Sequence, residues 1–373
     1  MAKDGPVKKD VGMVTATPIQ TANFNADGGN ETMKAPSNAS DVDRELEHVN
    51  ALMRKSLNAT DQWPAHAASL YHLETGGSQL RARLALLSGM AFKSSSAHRI
   101  AAAAASELIH NASLVHDDLC DGDSERRGQP SVWKRDNRGV ALCTGDLLLT
   151  AAFRAALYSD QPKNSLALVQ LLTERSGQVI AGQSIELASR GSNDIDFQRT
   201  THHQRLVPSF TKYLQATLAK TAPLIALPLE AAALGGNITE RQCEQLQRFA
   251  EAVGLAYQII DDLDDLDSPC SQHLQPDHYH CYHAWPRHWP VRPQQLANPA
   301  SQAMRRATRH ASAALSRGDA LIQRFPETLG VALKEVLATL RRRLDKHQMT
   351  MAAYADQSSE PHQGIYAMTG QAL

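Results

Sequence analysis

Residues 114–128 read LVHDDLCDGDSERRG, and residues 256–267 read AYQIIDDLDDLD. Each run closes an apolar segment with an acidic cluster: Asp117, Asp118 and Asp121 in the first, Asp261, Asp262 and Asp265 in the second. On a helix, positions i, i+1 and i+4 lie on one side, so each cluster aims three carboxylates the same way. Three neighbouring carboxylates repel one another unless cations screen them. Mg²⁺ suits the need: it is hard, binds a few carboxylates and fills its shell with water and substrate phosphate. The segments leading into the clusters, AAAAASELIHNASLVHDD and RFAEAVGLAYQIIDD, leave little room for a wet face and so predict buried helices. The clusters are therefore expected at the mouth of a central cavity.

The rest of the chain frames these two helices. Its 373 residues suffice for one large or two ordinary domains with a substantial core. Lys and Arg total 38 against 39 Asp and Glu, a formal charge of −1 that argues against nucleic acid as the main partner. Five cysteines without close spacing make no metal pattern, and their odd number points to reduced thiols and a cytoplasmic setting. No uninterrupted apolar window is long enough to predict a membrane span. Residues 1–40 lack lasting periodicity and read as a disordered leader, and Asp41 is a plausible N-cap. From there to Asp267 the pattern is helical, with helices predicted over roughly 42–57, 79–92, 97–120, 137–158, 164–189, 205–234 and 240–267. Residues 268–298 are too broken by proline for one helix and read as an irregular lid or surface loop. Their histidines lack the paired cysteines of a zinc site. Helical pattern resumes at Pro299, one helical domain is expected over 41–354, and 355–373 reads as a loose tail.

At these residues the sequence resembles the trans-isoprenyl diphosphate synthases, the polyprenyl synthetase family, strongly over about 70–267. The first aspartate-rich motif is matched by His116, Asp117, Asp118, Asp121 and Arg126-Arg127-Gly128, and the second by Gln258, Asp261, Asp262 and Asp265. Between them stand Gly145-Asp146, Gly182-Gln183 with Glu186, and Lys220-Thr221. The resemblance implies an all-α isoprenoid synthase-type bundle around a hydrophobic cavity, a homodimer, and three Mg²⁺ ions bridging both clusters to an allylic prenyl diphosphate. It implies head-to-tail transfer of that prenyl group to isopentenyl diphosphate. Asp117, Asp118, Asp121, Asp261 and Asp262 are then metal ligands, with Asp265 in a water-mediated place. Lys220 and Gln258 reach the allylic diphosphate, one of Arg126 and Arg127 the allylic diphosphate and the other the second diphosphate, and His110 the isopentenyl diphosphate. Thr221 and Gln183 are helper groups, and His116 packs. Family members with a bulky aromatic at the place of Ala112 stop near C15, so alanine implies C20 or longer.

Two departures bear on the second substrate. Where the family has Gly-Gly-Lys-Arg-Leu-Arg-Pro, this chain has Gly76-Gly77-Ser78-Gln79-Leu80-Arg81-Ala82, which keeps Arg81 alone. Nor is there a lysine between Lys220 and Lys334, where the family's later lysine helps hold diphosphate; Arg287 and Arg292 are the candidate substitutes. Two other functions follow from this erosion: a terpene synthase-like lyase that ionises one prenyl diphosphate, and a non-catalytic partner subunit of an active synthase.

Overall fold

The computed structural model describes residues 38–57, 63–196, 210–267 and 299–357, with side chains over 41–57, 63–188, 213–264 and 304–348. The leader apart from its last residues, the 268–298 segment and the last part of the tail lie outside the described residues, as does the Asp265 side chain. The described chain runs α1 (Asn38–Leu57), α2 (Pro64–Glu74), α3 (Leu80–Ala91) and α4 (Ser96–Asp121). A two-stranded ribbon follows, β1 (Glu125–Arg126) with β2 (Gln129–Pro130), then α5 (Val132–Arg135) and α6 (Arg138–Ala156). The remainder is α7 (Pro162–Asp196), α8 (Phe210–Lys220), α9 (Ala222–Ala233), α10 (Glu240–Asp267), α11 (Pro299–Ile322) and α12 (Glu327–Gln357).

α4 is the axis. Ser95 caps it by accepting from the His98 backbone N–H, and Gly122, at φ 76°, ends it in the left-handed conformation. Its run Ala101–Ala105 is fully buried, with Leu108, Ile109, Ala112 and Val115 below. Alanine at successive positions lets neighbours approach from several sides, and α1, α3, α6 and α9 pack around it. A second core joins α10 to α11 and α12 through Phe249, Ile259, Leu263, Leu315 and Leu337. Among the described residues α6 is the one helix long and apolar enough to cross a membrane; Leu148, Ala151, Ala152 and Ala155 bury one side of it in the first core, as in a core helix.

Three details differ from the sequence expectation. α1 begins three residues before Asp41. α2 went unpredicted, a helix started by Pro64 at its first position. The single helix expected over 205–234 is two, broken at Thr221. Pro223 has no N–H to donate and its ring would crowd the carbonyl four residues back, so the chain restarts there. That break places Lys220 and Thr221 at a helix junction instead of in a helix interior.

Candidate active site

Asp117, Asp118 and Asp121 occupy the last turn of α4, where the helix's own unpaired carbonyls already make the potential negative. Burial pushes the Asp117 carboxyl up to about 6; Lys220 opposes the shift, while Asp121 and Glu186 add to it. Lys220 Nζ stands 3.7 Å from Asp117 Oδ1 and 3.1 Å from Glu186 Oε2. Burial alone would lower this ammonium, but Asp117 and Glu186 hold it above its usual range. Gly182 makes the approach possible: a Cβ there would lie 2.5 Å from the Lys220 backbone nitrogen.

Asp118 points inward and is 1% exposed. Its Oδ1 accepts from Arg126 Nε at 2.8 Å and from Nη2, while Oδ2 is buried without a hydrogen bond. The arginine arrives on the β1–β2 turn, whose central residues Arg127 (φ 56°) and Gly128 (φ 73°) are both left-handed, as tight hairpin turns require. The same turn sends Arg127 the other way. Its guanidinium donates to the Gly76 carbonyl and lies over Gly77, where a Cβ would stand 2.8 Å from its central carbon.

The second cluster closes the end of α10. Asp262, 4% exposed, accepts from Tyr213 Oη at 2.8 Å and Gln258 Nε2 at 3.0 Å. Thr221 donates to Gln258 Oε1 at 3.1 Å. Lys220 on the first cluster and Thr221 on the second are therefore consecutive residues that tie the two helix ends together. Asp261 is half exposed and accepts from Arg343 Nη2 of α12 at 2.9 Å. Asp264 is no plain surface acid: Arg343 Nε at 2.8 Å and His347 Nε2 at 2.6 Å hold it, and these contacts outweigh burial to keep its carboxyl below its usual range.

Beside the Arg127 guanidinium sits a group of arginine and histidine side chains. Arg81 and His110 are joined there by His72, with Arg127 at its edge. His110 is held well below its usual range by burial, then by Arg81, Arg127 and His72. His72, 2% exposed, is pushed down to about 4 by burial, then by Arg127 and Arg126, while a hydrogen bond with Asn111 works against them. Three nitrogens of this group, His72 Nε2, Arg81 Nε and His110 Nδ1, are buried without a hydrogen-bond partner. Buried polar groups are seldom left so in a native protein unless something else satisfies them. Gln79, in the left-handed conformation, turns its amide to Asn50 on α1, while Ser78 is exposed.

Below Asp117 and Lys220 opens a pocket of about 320 Å³. Its walls are apolar, among them Ile109, Ala112, Leu149, Val179 and Leu224. Gln183 lines it too, and both ends of its buried amide lack a partner. His116 stacks beside the wall against α6, where a Cβ on Gly145 would lie 2.1 Å from its Nε2.

The polyprenyl synthetase family model matches residues 64–276, more than half of the chain and both acidic motifs. The chain belongs to that family. This polyprenyl synthetase-family protein is 32% identical over 199 residues to the short chain isoprenyl diphosphate synthase of Methanocaldococcus jannaschii, covering 53% of this chain and 57% of the relative. It is 29% identical over 223 residues to the geranylgeranyl diphosphate synthase of Methanosarcina mazei, covering 60% and 65%. The matches thus span about three fifths of these curated relatives' length. The crystal structure of a decaprenyl diphosphate synthase from Rhodobacter capsulatus shares the fold, with TM-score 0.68 at 20% identity over 82% of this chain and 98% of that one.

The polyprenyl synthetase helix ends fit Mg²⁺ by chemistry rather than by a ready-made cage. Asp117 holds its proton with unusual strength, Asp118 Oδ2 is an orphaned buried oxygen, and all donors are hard. Among the described residues no three His, Cys, Asp or Glu side chains converge on one point. Sequence reasoning missed His72, Glu186 as an anchor for Lys220, Arg343, and Tyr257, over whose ring the Arg343 guanidinium lies at 5.5 Å. Only Arg343 had a signal, the Arg341-Arg342-Arg343 run, and nothing local says that one of these returns to α10.

Proposed function

We propose that this chain joins an allylic prenyl diphosphate to isopentenyl diphosphate head to tail, using Mg²⁺ held by the two carboxylate clusters. The observation that carries the reading is the presence of two anion-accepting sites. One is Lys220 with the carboxylates above the apolar pocket. The other is the basic group of Arg81, Arg127, His110 and His72, with its three unpartnered nitrogens. A lyase acting on one diphosphate needs only the first. The second site also answers the eroded motif: His72 adds a donor where Ser78 has replaced lysine.

The allylic tail lies in the pocket under Asp117, and its diphosphate meets Lys220, with Gln183 offering an amide from the wall. Asp117, Asp118, Asp261 and Asp262 would hold Mg²⁺, which would supply positive charge against the departing diphosphate. Leu119, Leu149 and Val179 keep water from the allylic cation. Arg81, Arg127 and His110 hold the isopentenyl diphosphate so that its double bond attacks, and the released diphosphate takes the proton. Ala112 lines the pocket wall and leaves it open, which supports a product of about C20.

Exposed Leu142, Leu166 and Ile180 on α6 and α7 support a homodimer through those helices. The test is product analysis with Mg²⁺, run with isopentenyl diphosphate plus allylic starters and again with each prenyl diphosphate alone. Elongated diphosphates from the paired substrates support the proposal. Hydrocarbons or alcohols from a single substrate assign a lyase, and no turnover in either arm refutes catalysis by this chain alone.

A further inference from the structure

α11 buries one side and charges the other. Ala307, Ala311, Ala314, Leu315 and Ile322 enter the core with α10 and α12. Arg305, Arg309 and Arg317 project outward, and Arg306 and His310 share their side of the helix. At 100° per residue these five span an arc of roughly 140° and, from first to last, about 18 Å of helix. That arc contains no acid. The helix's one carboxylate, Asp319, faces away from it and pairs with Arg341 of α12.

An ordinary solvated face looks different, and α1 provides the contrast. There Asp43, Arg44, Glu47, Arg54 and Lys55 mix signs, and Arg44 pairs with Asp41 at 2.8 Å. Of the intervening places on α11, Ala313 is four residues from both Arg309 and Arg317, where a glutamate would have given i, i+4 pairs. The field is correspondingly one-signed: burial, then Arg317, Arg309 and Arg306, lower the His310 imidazole. The stripe also stands beside the site. Near the far end of α11, a Cβ on Gly318 would lie 3.7 Å from Phe249, and Phe325, just past the helix, meets the Phe249 ring edge-on at 6.2 Å, so the helix runs antiparallel to α10. Its first turns therefore return alongside the carboxylate end of α10.

We infer that the outward face of α11 docks this protein on an anionic membrane surface through Arg305, Arg309 and Arg317. Clustered cations without acids gain from anionic headgroups what they lose by mutual repulsion. The face has no large apolar side chain to insert, so contact is peripheral and electrostatic. Nucleic acid fits less well: α11 contains no Phe, Tyr or Trp on which bases could stack.

The experiment is co-sedimentation of the full chain with phosphatidylcholine vesicles and with vesicles of equal parts phosphatidylcholine and phosphatidylglycerol. Binding only to the anionic vesicles, reversed by salt, is expected. The triple variant Arg305→Gln, Arg309→Gln, Arg317→Gln should bind about a hundredfold more weakly with an unchanged melting temperature, since the three side chains are exposed. Ala313→Glu with Ser316→Glu should weaken binding without removing any arginine. The inference is overturned if the unmodified chain ignores anionic vesicles, if the triple variant binds as well as it does, or if a single-stranded oligonucleotide binds through these arginines while vesicles do not. Vesicle binding needs no prenyl transfer, so this result and the product analysis fail independently.

Discussion

The two carboxylate clusters look alike in sequence and are finished by different means. The first is closed from nearby: Arg126 is eight residues beyond Asp118, delivered by a tight turn on the same stretch of chain. The second is closed from a distance: Arg343 lies 82 residues beyond Asp261 and comes from the last described helix. The first cluster holds a partly buried Asp117, its carboxyl pushed up to about 6, above an apolar pocket. The second exposes Asp261 and clamps Asp264. Local chain geometry thus closes Asp118, in the half above the apolar pocket, and tertiary docking of α12 closes Asp261 and Asp264 in the other.

The hardest break is to remove one carboxylate from either end. Asp117→Ala and Asp261→Ala should each lower turnover by about a thousandfold or more, the scale of losing electrostatic stabilisation in the transition state. Steady-state assays with Mg²⁺ check this, and full activity in either variant refutes the shared-metal reading. Next is the wall of the first half. Arg175 on α7 and Glu230 on α9 form a buried two-bond pair at 2.9 Å, which holds together the helices on either side of Lys220. Glu230→Ala strands the arginine and should cost about 3–5 kcal/mol by urea unfolding.

The acidity of Asp117 separates the ends further. Its carboxyl is raised, so the folded state favours the protonated form. Its contribution to stability is greatest below the unfolded value near 3.8 and is lost as pH rises through about 6. In chelator, Asp117→Asn should therefore stabilise the protein at pH 7.5 by roughly 2–3 kcal/mol, and the gain should shrink towards pH 4. Asp264 behaves in the opposite sense: its carboxyl is lowered, so its contribution is present above the unfolded value and lost below it. Thermal melts across this range distinguish the two. Arg343→Ala should leave the first cluster intact, free Asp261 and leave Asp264 to His347 alone, reducing kcat/KM about tenfold, as expected for one charged hydrogen-bonding group. The mildest change is Ala112→Phe, which should leave turnover within a few-fold and shorten the product; an unchanged chain length removes Ala112 from the pocket argument.

Much of this was legible before the structure. The alanine run into Asp117 and the apolar run into Asp261 specify buried helices because no wet face remains, and the carboxylates at their ends specify cation chemistry. The break at Thr221 was written in Pro223, though its consequence, a lysine facing one cluster and a threonine facing the other, was not. Ser78 and Gln79 looked like plain losses. In the fold Gln79 turns to Asn50 on α1, and His72, from a helix that propensity did not reveal, enters the basic group.

By itself, the sequence determined the helices, the burial of α4 and α10, and the carboxylate trio at each end, because periodicity and i, i+4 spacing act within one turn of chain. Only the tertiary structure decided which carboxylates face inward, which cations close them, and that Arg343, His72 and Tyr257 belong to the site. Those choices depend on contacts between helices far apart in sequence, where a side chain's role comes from what packs against it and not from its neighbours along the chain.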